Sequence, residues 1–348
     1  MTMPQAVLAP VDFVQTERYE LELQRIFERS WVHIADVTDL GEPGAYVPAA
    51  IGRTPVLVMR GHDDQIRAFL NACPHRGATL AEGPGRCAQQ LRCAYHGWSF
   101  ASDGKLHGVP FREEFDCDVS DRNLVPVRSA AVGPMVFGCL DADAPPFEEW
   151  AGWLIHAFAR EAAPPRWQLA FQFDYEVRTN WKTYVENGLD GYHIPFVHDV
   201  LRDAVDLGSG EHGFHEHGSY TLVDTSAMFA PPDGSRAKFR FGHVFPNLIP
   251  VFSPVDFNYL RIDPTGPETI RLRGRSFDGG PESPIPREFR AAAFDATNKQ
   301  DIAVVERVQR GLRARGLGAA VHCAPREARI THFERRVAAA LTNPADFR

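Results

Sequence analysis

No stretch of the chain approaches the ~20 consecutive apolar residues of a membrane-spanning helix, and Met1 to Pro10 lacks a basic region followed by an apolar run. The expectation is a cytoplasmic protein with no membrane segment. Cysteine is scarce, six in 348 residues, and Cys87, Cys117, Cys139 and Cys323 show no repeating spacing of the kind a disulfide framework needs. They read as free thiols. Basic charge is in deficit: 37 Lys and Arg stand against 45 Asp and Glu, a formal net charge of −8. That balance argues against a nucleic-acid partner, since phosphate binding needs a basic surface. No glycine-rich dinucleotide fingerprint and no internal repeat is present. What remains, 44% hydrophobic and 24% charged, is ordinary for a globular chain long enough for two domains.

The most specific feature is a repeated pair, Cys73-Pro74-His75-Arg76-Gly77 and Cys93-Ala94-Tyr95-His96-Gly97-Trp98. Two Cys and two His in this alternation suit a [2Fe-2S] cluster of the Rieske type, with two thiolates on one iron and two imidazoles on the other. Residues 76–92 separate the halves, so each can be a hairpin tip closing on the cluster from its own side. Neutral imidazoles in place of thiolates raise the potential to roughly −150 to +300 mV, against about −400 mV for an all-Cys plant-type centre. Gly77 and Gly97 are expected to pass close to the bridging sulfides and donate N–H groups to them. Cys2His2 is also a zinc set. Zinc fingers, however, usually pair Cys with Cys and His with His, whereas each half here mixes one of each.

Along the chain, Tyr19, Leu23, Ile26, Phe27 and Trp31 fall at helical spacing, an amphipathic helix over 17–31. From Gly41 the pattern changes to short strand-like runs punctuated by Gly and Pro: 45–47, 55–60, 66–71, 90–93, 99–100, 105–107, 125–129 and 134–139. Residues 141–146 read as a linker. A helical stretch (146–162), a strand (168–179), a helix marked by Val185, Leu189 and Tyr192, an antiparallel sheet within 219–277 and a long helix over 286–317 follow. That last helix carries Phe289, Ala293, Ala296, Ile302, Val305 and Val308 as core candidates, and the Ala-rich tail after Val337 carries no recognisable chemistry.

A second metal site is read in Asp190-Gly191-Tyr192-His193-Ile194-Pro195-Phe196-Val197-His198. Five residues apart on an unbroken helix, the two His would diverge. Pro195 biases Ile194 away from helical geometry, ending the helix and letting both rings face one centre. Two neutral His and one carboxylate form the facial triad of a non-haem Fe(II) site with open positions for oxygen. Asp301, before an apolar helical stripe, is the candidate carboxylate. Asp190, one helical turn before His193, can orient its ring. The run from Glu211 to His217, with His212, His215 and His217, reads as a polar loop. Phe245, Leu248, Val251 and Phe252 either line a pocket or belong to the core.

Taken together these motifs resemble the catalytic α subunits of Rieske non-haem iron oxygenases, the aromatic-ring-hydroxylating dioxygenase family. The matching residues are Cys73, His75, Cys93 and His96, the stretch from Asn180-Trp181-Lys182 to His198, and the Gln300-Asp301 run ending at Gly311. The resemblance implies an α+β fold: an N-terminal helical segment (1–40) packing on the catalytic domain, an all-β Rieske [2Fe-2S] domain (41–145) and a helix-grip catalytic domain with mononuclear iron (146–348). It also implies a homotrimer, in which the cluster of one protomer serves the iron of its neighbour and Asp190 links His96 to His193. Electrons from NAD(P)H would arrive through a reductase, with or without a ferredoxin, since the chain has no Rossmann or flavin fingerprint. O2 and a small, aromatic substrate would meet at the iron for hydroxylation or dihydroxylation. Oxidative N- or O-demethylation, or hydroxylation of an aliphatic compound, uses the same machinery. A Rieske electron carrier without oxygenase activity and a zinc-stabilised binding protein are the readings from other classes.

Overall fold

A computed structural model describes residues 6–160, 167–225, 238–253, 256–278, 285–324 and 326–342. The chain forms two units, one of Phe27–Ala144 and one of Met1–Ile26 with Pro145–Arg348.

The Phe27–Ala144 unit is all-β. Its strands are β1 (Val32–Asp36), β2 (Ala45–Ile51), β3 (Thr54–Arg60), β4 (Ile66–Leu70), β5 (Gly85–Arg86), β6 (Gln90–Arg92), β7 (Ser99–Ala101), β8 (Leu106–Gly108), β9 (Pro126–Val132) and β10 (Met135–Cys139). Seven form one sheet in the order β1-β10-β9-β4-β3-β2-β5, and β6-β7-β8 form a second. The boundary expected at residue 40 lies instead after Ile26, because β1 pairs antiparallel with β10 and so joins residues 27–40 to this unit. The near-continuous apolar run of β3 (Val56, Leu57, Val58 and Met59, all fully buried) marks an interior strand, between β4 and β2. Leu57, Met59, Phe69, Leu91, Trp98 and Phe100 share one core with Cys73 and Cys93.

The other unit holds α1 (Thr16–Arg25), α2 (Phe147–Trp150), α3 (Gly152–Arg160), β11 (Gln168–Val177), α4 (Trp181–Leu189), α5 (Ile194–Val197), α6 (Asp199–Ala204), β12 (Val205–His215), β13 (Gly218–Thr225), β14 (Lys238–Val244), β15 (Leu248–Phe252), β16 (Asp256–Gly266), β17 (Thr269–Asp278), α7 (Arg287–Gly311) and α8 (Ala328–Thr342). Its seven strands form one antiparallel sheet, β11-β17-β16-β15-β14-β13-β12. Ile270 and Leu272 of β17 point into the core, while the alternating Arg271 and Arg273 reach Asp174 of β11 and Asp263 of β16. The expected helix over 146–162 is broken into α2 and α3, and its residues 161–162 lie outside the described ones, as do 226–237 and 254–255 of the expected sheet.

Two expectations for this unit are corrected. In α7 the buried side chains are Asn298, Asp301, Val305 and Gln309, while Phe289 and Val308 are exposed. Val305 is buried as the apolar stripe predicts, but the rest of the inward face is polar, since Asp301 belongs to the site described below, Asn298 accepts from the Tyr184 hydroxyl and Gln309 from the Asn180 N–H, so the stripe misplaces Phe289, Ala296 and Val308. The segment from Glu211 is not a loop: Glu211–His215 pair with Gly218–Leu222 as a hairpin, and α8 packs across it, Arg329 donating to Ser219 Oγ.

α4 is tied to its surroundings by polar contacts. Asn180 caps its N-terminus by accepting from the Lys182 N–H, and its own N–H donates to Gln309 of α7 at 2.8 Å. Lys182 Nζ lies 2.6 Å from Glu22 of α1, both side chains fully buried, and Trp181 Nε1 donates to the other Glu22 oxygen. Among the described residues no helix is long and apolar enough to cross a membrane.

Candidate metal centres

The two Cys-His segments follow the same backbone path. Cys73 N–H donates to Ala78 O and Gly77 N–H to Cys73 O; Cys93 N–H donates to Trp98 O and Gly97 N–H to Cys93 O, all within 2.7–3.0 Å. Gly77 and Gly97 sit at φ +71° and +73°, the left-handed region that a side chain disfavours. The glycines therefore serve the turn. Their amides are committed to the cysteine carbonyls, and the expected donation to bridging sulfides does not come from them. Asn71 braces the first loop, accepting from the Leu80 and Ala81 N–H groups and donating to Ala81 O.

The donor set is polarised. Both thiols are 2% exposed, within the hydrophobic core, whereas His96 and Tyr95 are exposed. The His75 and His96 rings lie side by side, centroids 4.6 Å apart, and Trp98 stacks on His75 at 4.9 Å and 3°. Burial pushes the Cys73 thiol up, so a thiolate here calls for a compensating cation. Two sulfurs on the buried side and two imidazoles on the open side fit a cluster with one iron for each pair.

In the second unit, α4 ends at Leu189 and Asp190 takes an extended conformation. Asp190 is thus not on a helix with His193, as the spacing predicts; it closes a turn, Oδ1 accepting from the Tyr192 N–H and Oδ2 from His193 Nδ1 at 3.0 Å. Pro195 begins a helix instead of ending one: it occupies the first turn of α5, where its missing N–H costs nothing. His193 and His198 flank that single turn, and both rings face Asp301 of α7.

Among the described residues, His193, His198 and Asp301 are the one set of three such donors whose ligand atoms all lie within 4.8 Å of one another. His193 Nε2 is 3.1 Å from His198 Nε2, and Asp301 Oδ1 is 3.5 Å from the first and 3.1 Å from the second. Each Nδ1 has its own acceptor, Asp190 Oδ2 for His193 and Gln300 Oε1 at 3.0 Å for His198. With both protons on Nδ1, the two Nε2 lone pairs and a carboxylate oxygen converge on one point, which fits a cation and leaves any other occupant unexplained. The electrostatics favour positive charge at this point, which a bound metal ion would supply in place of the His193 ring proton. Burial alone would lower the His193 imidazole, but Asp190 and Asp301 outweigh it and hold it up at about 9; burial would raise Asp301, but the two imidazoles and Asn187 hold it below its usual range. Asn187 Nδ2 donates to Asp301 Oδ1 at 2.8 Å. Neither Gln300 nor Asn187 stands out by period in the sequence; Gln300 adjoins Asp301 and Asn187 lies three residues before Asp190, and that proximity is the only signal.

The remaining histidines do not join this set. His217 stacks on Trp150 (3.7 Å, 6°) and accepts from Arg336. Phe245, Leu248 and Phe252 are buried core, Phe252 against Phe158 and Phe257.

Comparison with known proteins agrees with this division. Residues 30–127 match the Rieske [2Fe-2S] domain and residues 165–343 the ring hydroxylating alpha subunit (catalytic domain). The chain therefore belongs to the ring-hydroxylating alpha-subunit family, with a Rieske domain ahead of its catalytic domain, and the two domains imply a Rieske cluster and a mononuclear iron as cofactors. It is 34% identical over 195 residues to toluate 1,2-dioxygenase subunit alpha of Pseudomonas putida, a match covering 53% of this chain and 43% of that protein. The chain thus spans less than half the length of that relative. With the carnitine monooxygenase oxygenase subunit of Escherichia coli (strain K12) it shares 29% identity over 317 residues, 87% of this chain and 83% of that one. A solved quaternary ammonium Rieske monooxygenase superimposes with a TM-score of 0.85 at 23% identity, covering 98% and 96% of the two chains, which shows a common fold.

Proposed function

We propose that the chain is the oxygenase component of a multicomponent Rieske system. Cys73, His75, Cys93 and His96 hold the [2Fe-2S] cluster, His193, His198 and Asp301 hold mononuclear Fe(II), and electrons from NAD(P)H arrive through a separate reductase, with or without a ferredoxin. The observation that carries this reading is the convergence of the His193, His198 and Asp301 donor atoms within 4.8 Å. When bound, the cluster supplies one-electron storage and the iron a centre where O2 is reduced, with two electrons and two protons consumed per O2.

The residues themselves orient and exclude. Asp190 and Gln300 set the two imidazoles with their free nitrogens inward, Asn187 holds the Asp301 carboxylate, and burial of His198 and Asp301 keeps bulk water from that side. Asp190 is the bridge from His96 of a second copy in a homotrimer, an arrangement that the solvent-facing side of the His96 ring and the half-buried position of Asp190 support.

The substrate in this reading is a small aromatic compound that is hydroxylated or dihydroxylated. In support, α7 carries Phe294 two turns before Asp301, stacked on Phe173 of β11 at 5.7 Å, with Phe171 and Tyr175 on the same strand face. A second reading, oxidative demethylation of an N- or O-methylated compound, is favoured by the longer match to the carnitine enzyme. The same aromatic row would receive a methylated ammonium through cation–π attraction. The test is anaerobically iron-loaded protein with a surrogate reductase, followed for substrate-dependent O2 uptake. Product gaining one oxygen, gaining two oxygens and two hydrogens, or losing CH2 distinguishes the chemistries. A chain that binds the cluster's two irons, no third, and consumes no O2 would be an electron carrier and would end the oxygenase reading.

A further inference from the structure

Two consecutive residues of α7 grip one imidazole by both of its nitrogens: Asp301 Oδ1 lies 3.1 Å from His198 Nε2, and Gln300 Oε1 lies 3.0 Å from His198 Nδ1. His198 is 2% exposed and Gln300 half-buried, so water does not readily replace the amide at Nδ1. From this geometry, and resting on the metal-centre reading above, we infer that Gln300 is the positioning residue that holds His198 in its iron-ligating tautomer and orientation.

The chemistry follows from the acceptor. An amide oxygen at Nδ1 requires the proton there and leaves Nε2 bare, the form that can ligate a metal. Without that acceptor, His198 gains by moving its proton to Nε2 and donating to Asp301, which blocks the ligand atom and occupies the carboxylate together. The two histidines also differ in the charge behind them. His193 donates to the Asp190 carboxylate, which makes its ring the stronger ligand, whereas His198 donates to a neutral amide oxygen. One helix thus supplies both a ligand and the group that prepares its neighbour, and tilting α7 would disturb both at once.

The experiment compares Gln300→Leu, which keeps the bulk and removes the acceptor, with Gln300→Glu, which keeps an acceptor. Fe(II) affinity is measured anaerobically by chelator competition, and the d–d spectrum after Co(II) loading reports coordination. Removing such a partner typically weakens metal binding 10–100-fold. Gln300→Leu is expected to show that loss and an altered Co(II) spectrum, with circular dichroism and the Rieske spectrum unchanged, while Gln300→Glu stays within about threefold of the parent or binds tighter. Parent-like affinity in Gln300→Leu, or an equal loss in both variants, overturns the role of Gln300. If His193→Ala and Asp301→Ala also keep the mononuclear iron, the metal-centre reading itself fails; if they lose it, only the role of Gln300 does.

Discussion

Asp190 offers its two carboxylate oxygens to different donors, the backbone of Tyr192 and the ring of His193, so it is both a turn former and a partner of a ligand. Asp190→Ala, reconstituted with excess Fe(II) to offset the weaker hold on His193, is expected to keep both metal centres populated and to slow cluster-to-iron electron transfer, measured as single-turnover cluster reoxidation by rapid-mixing absorbance; parent-like reoxidation would exclude the bridge. His193→Ala or Asp301→Ala is expected to lose the mononuclear iron and turnover while the visible Rieske spectrum persists. Iron quantification beside the spectrum checks this, and a full iron complement with normal turnover would refute either ligand. At this scale the candidates were legible in the sequence, because metal ligation demands particular atoms: Cys73, His75, Cys93, His96, His193 and His198 stand out by type and spacing, and Asp301 as an acid ahead of an apolar helical stripe, which the fold brings to the two imidazoles. Gln300 and Asn187 were not, since an amide side chain serves equally well on any solvated surface.

Among the elements, α4 stands on a buried ion pair. Lys182 and Glu22 are fully buried, and removing one partner strands the other charge, at a cost of about 3–5 kcal/mol. Lys182→Met is expected to lower stability by about that amount in chemical denaturation, and Glu22→Gln/Lys182→Met to recover much of it, since the amide still accepts from Trp181. A double variant as unstable as the single would show that α1 and α4 are not held together this way. The cluster loops depend on backbone instead. Gly77→Ala or Gly97→Ala forces a side chain into the left-handed region, costing roughly 1–2 kcal/mol, and cluster occupancy read from the visible spectrum is expected to fall. The strands β2–β4 and β6–β10 were visible as alternating or apolar runs, whereas β1 was hidden by its continuity with the preceding apolar helix. The inward face of α7 was hidden too, because a helix that buries Asn298, Asp301 and Gln309 contradicts the periodicity from which burial is ordinarily read.

The catalytic unit as a whole keeps two histidines neutral. Burial holds His217 and His243 down at about 3; His217 accepts from Arg336, and His243 Nε2 donates to Pro246 O. Their folded values lie below the unfolded value of about 6.5, so the unfolded chain binds more protons beneath that pH. Stability from this source is complete above about pH 6.5 and is lost as pH falls toward 3, on the order of 2 kcal/mol per histidine by pH 5. Denaturation between pH 7 and 5 should show this slope, and His217→Gln/His243→Gln should flatten it; an unchanged slope would place the linkage elsewhere. A homotrimer with transfer between copies makes a separate prediction. Chains lacking the cluster (Cys73→Ala) mixed with chains lacking the iron (Asp301→Ala), then unfolded and refolded together, should regain turnover that neither has alone, and no recovery in confirmed mixed trimers would rule out transfer between copies.

By itself the order of residues determined that the chain has two candidate iron-binding segments of different donor chemistry, an all-β stretch around the first and a mixed sheet and helices around the second, because donor types and short-range periodicity are local properties. Where β1 belongs, which face of α7 turns inward, how Pro195 starts a helical turn between the two histidines, and which side chain stands behind each ring were decided only in three dimensions. Two of these depend on a partner far along the chain: Gly138 and its strand for β1, and Gln300, 102 positions beyond His198, for the second imidazole.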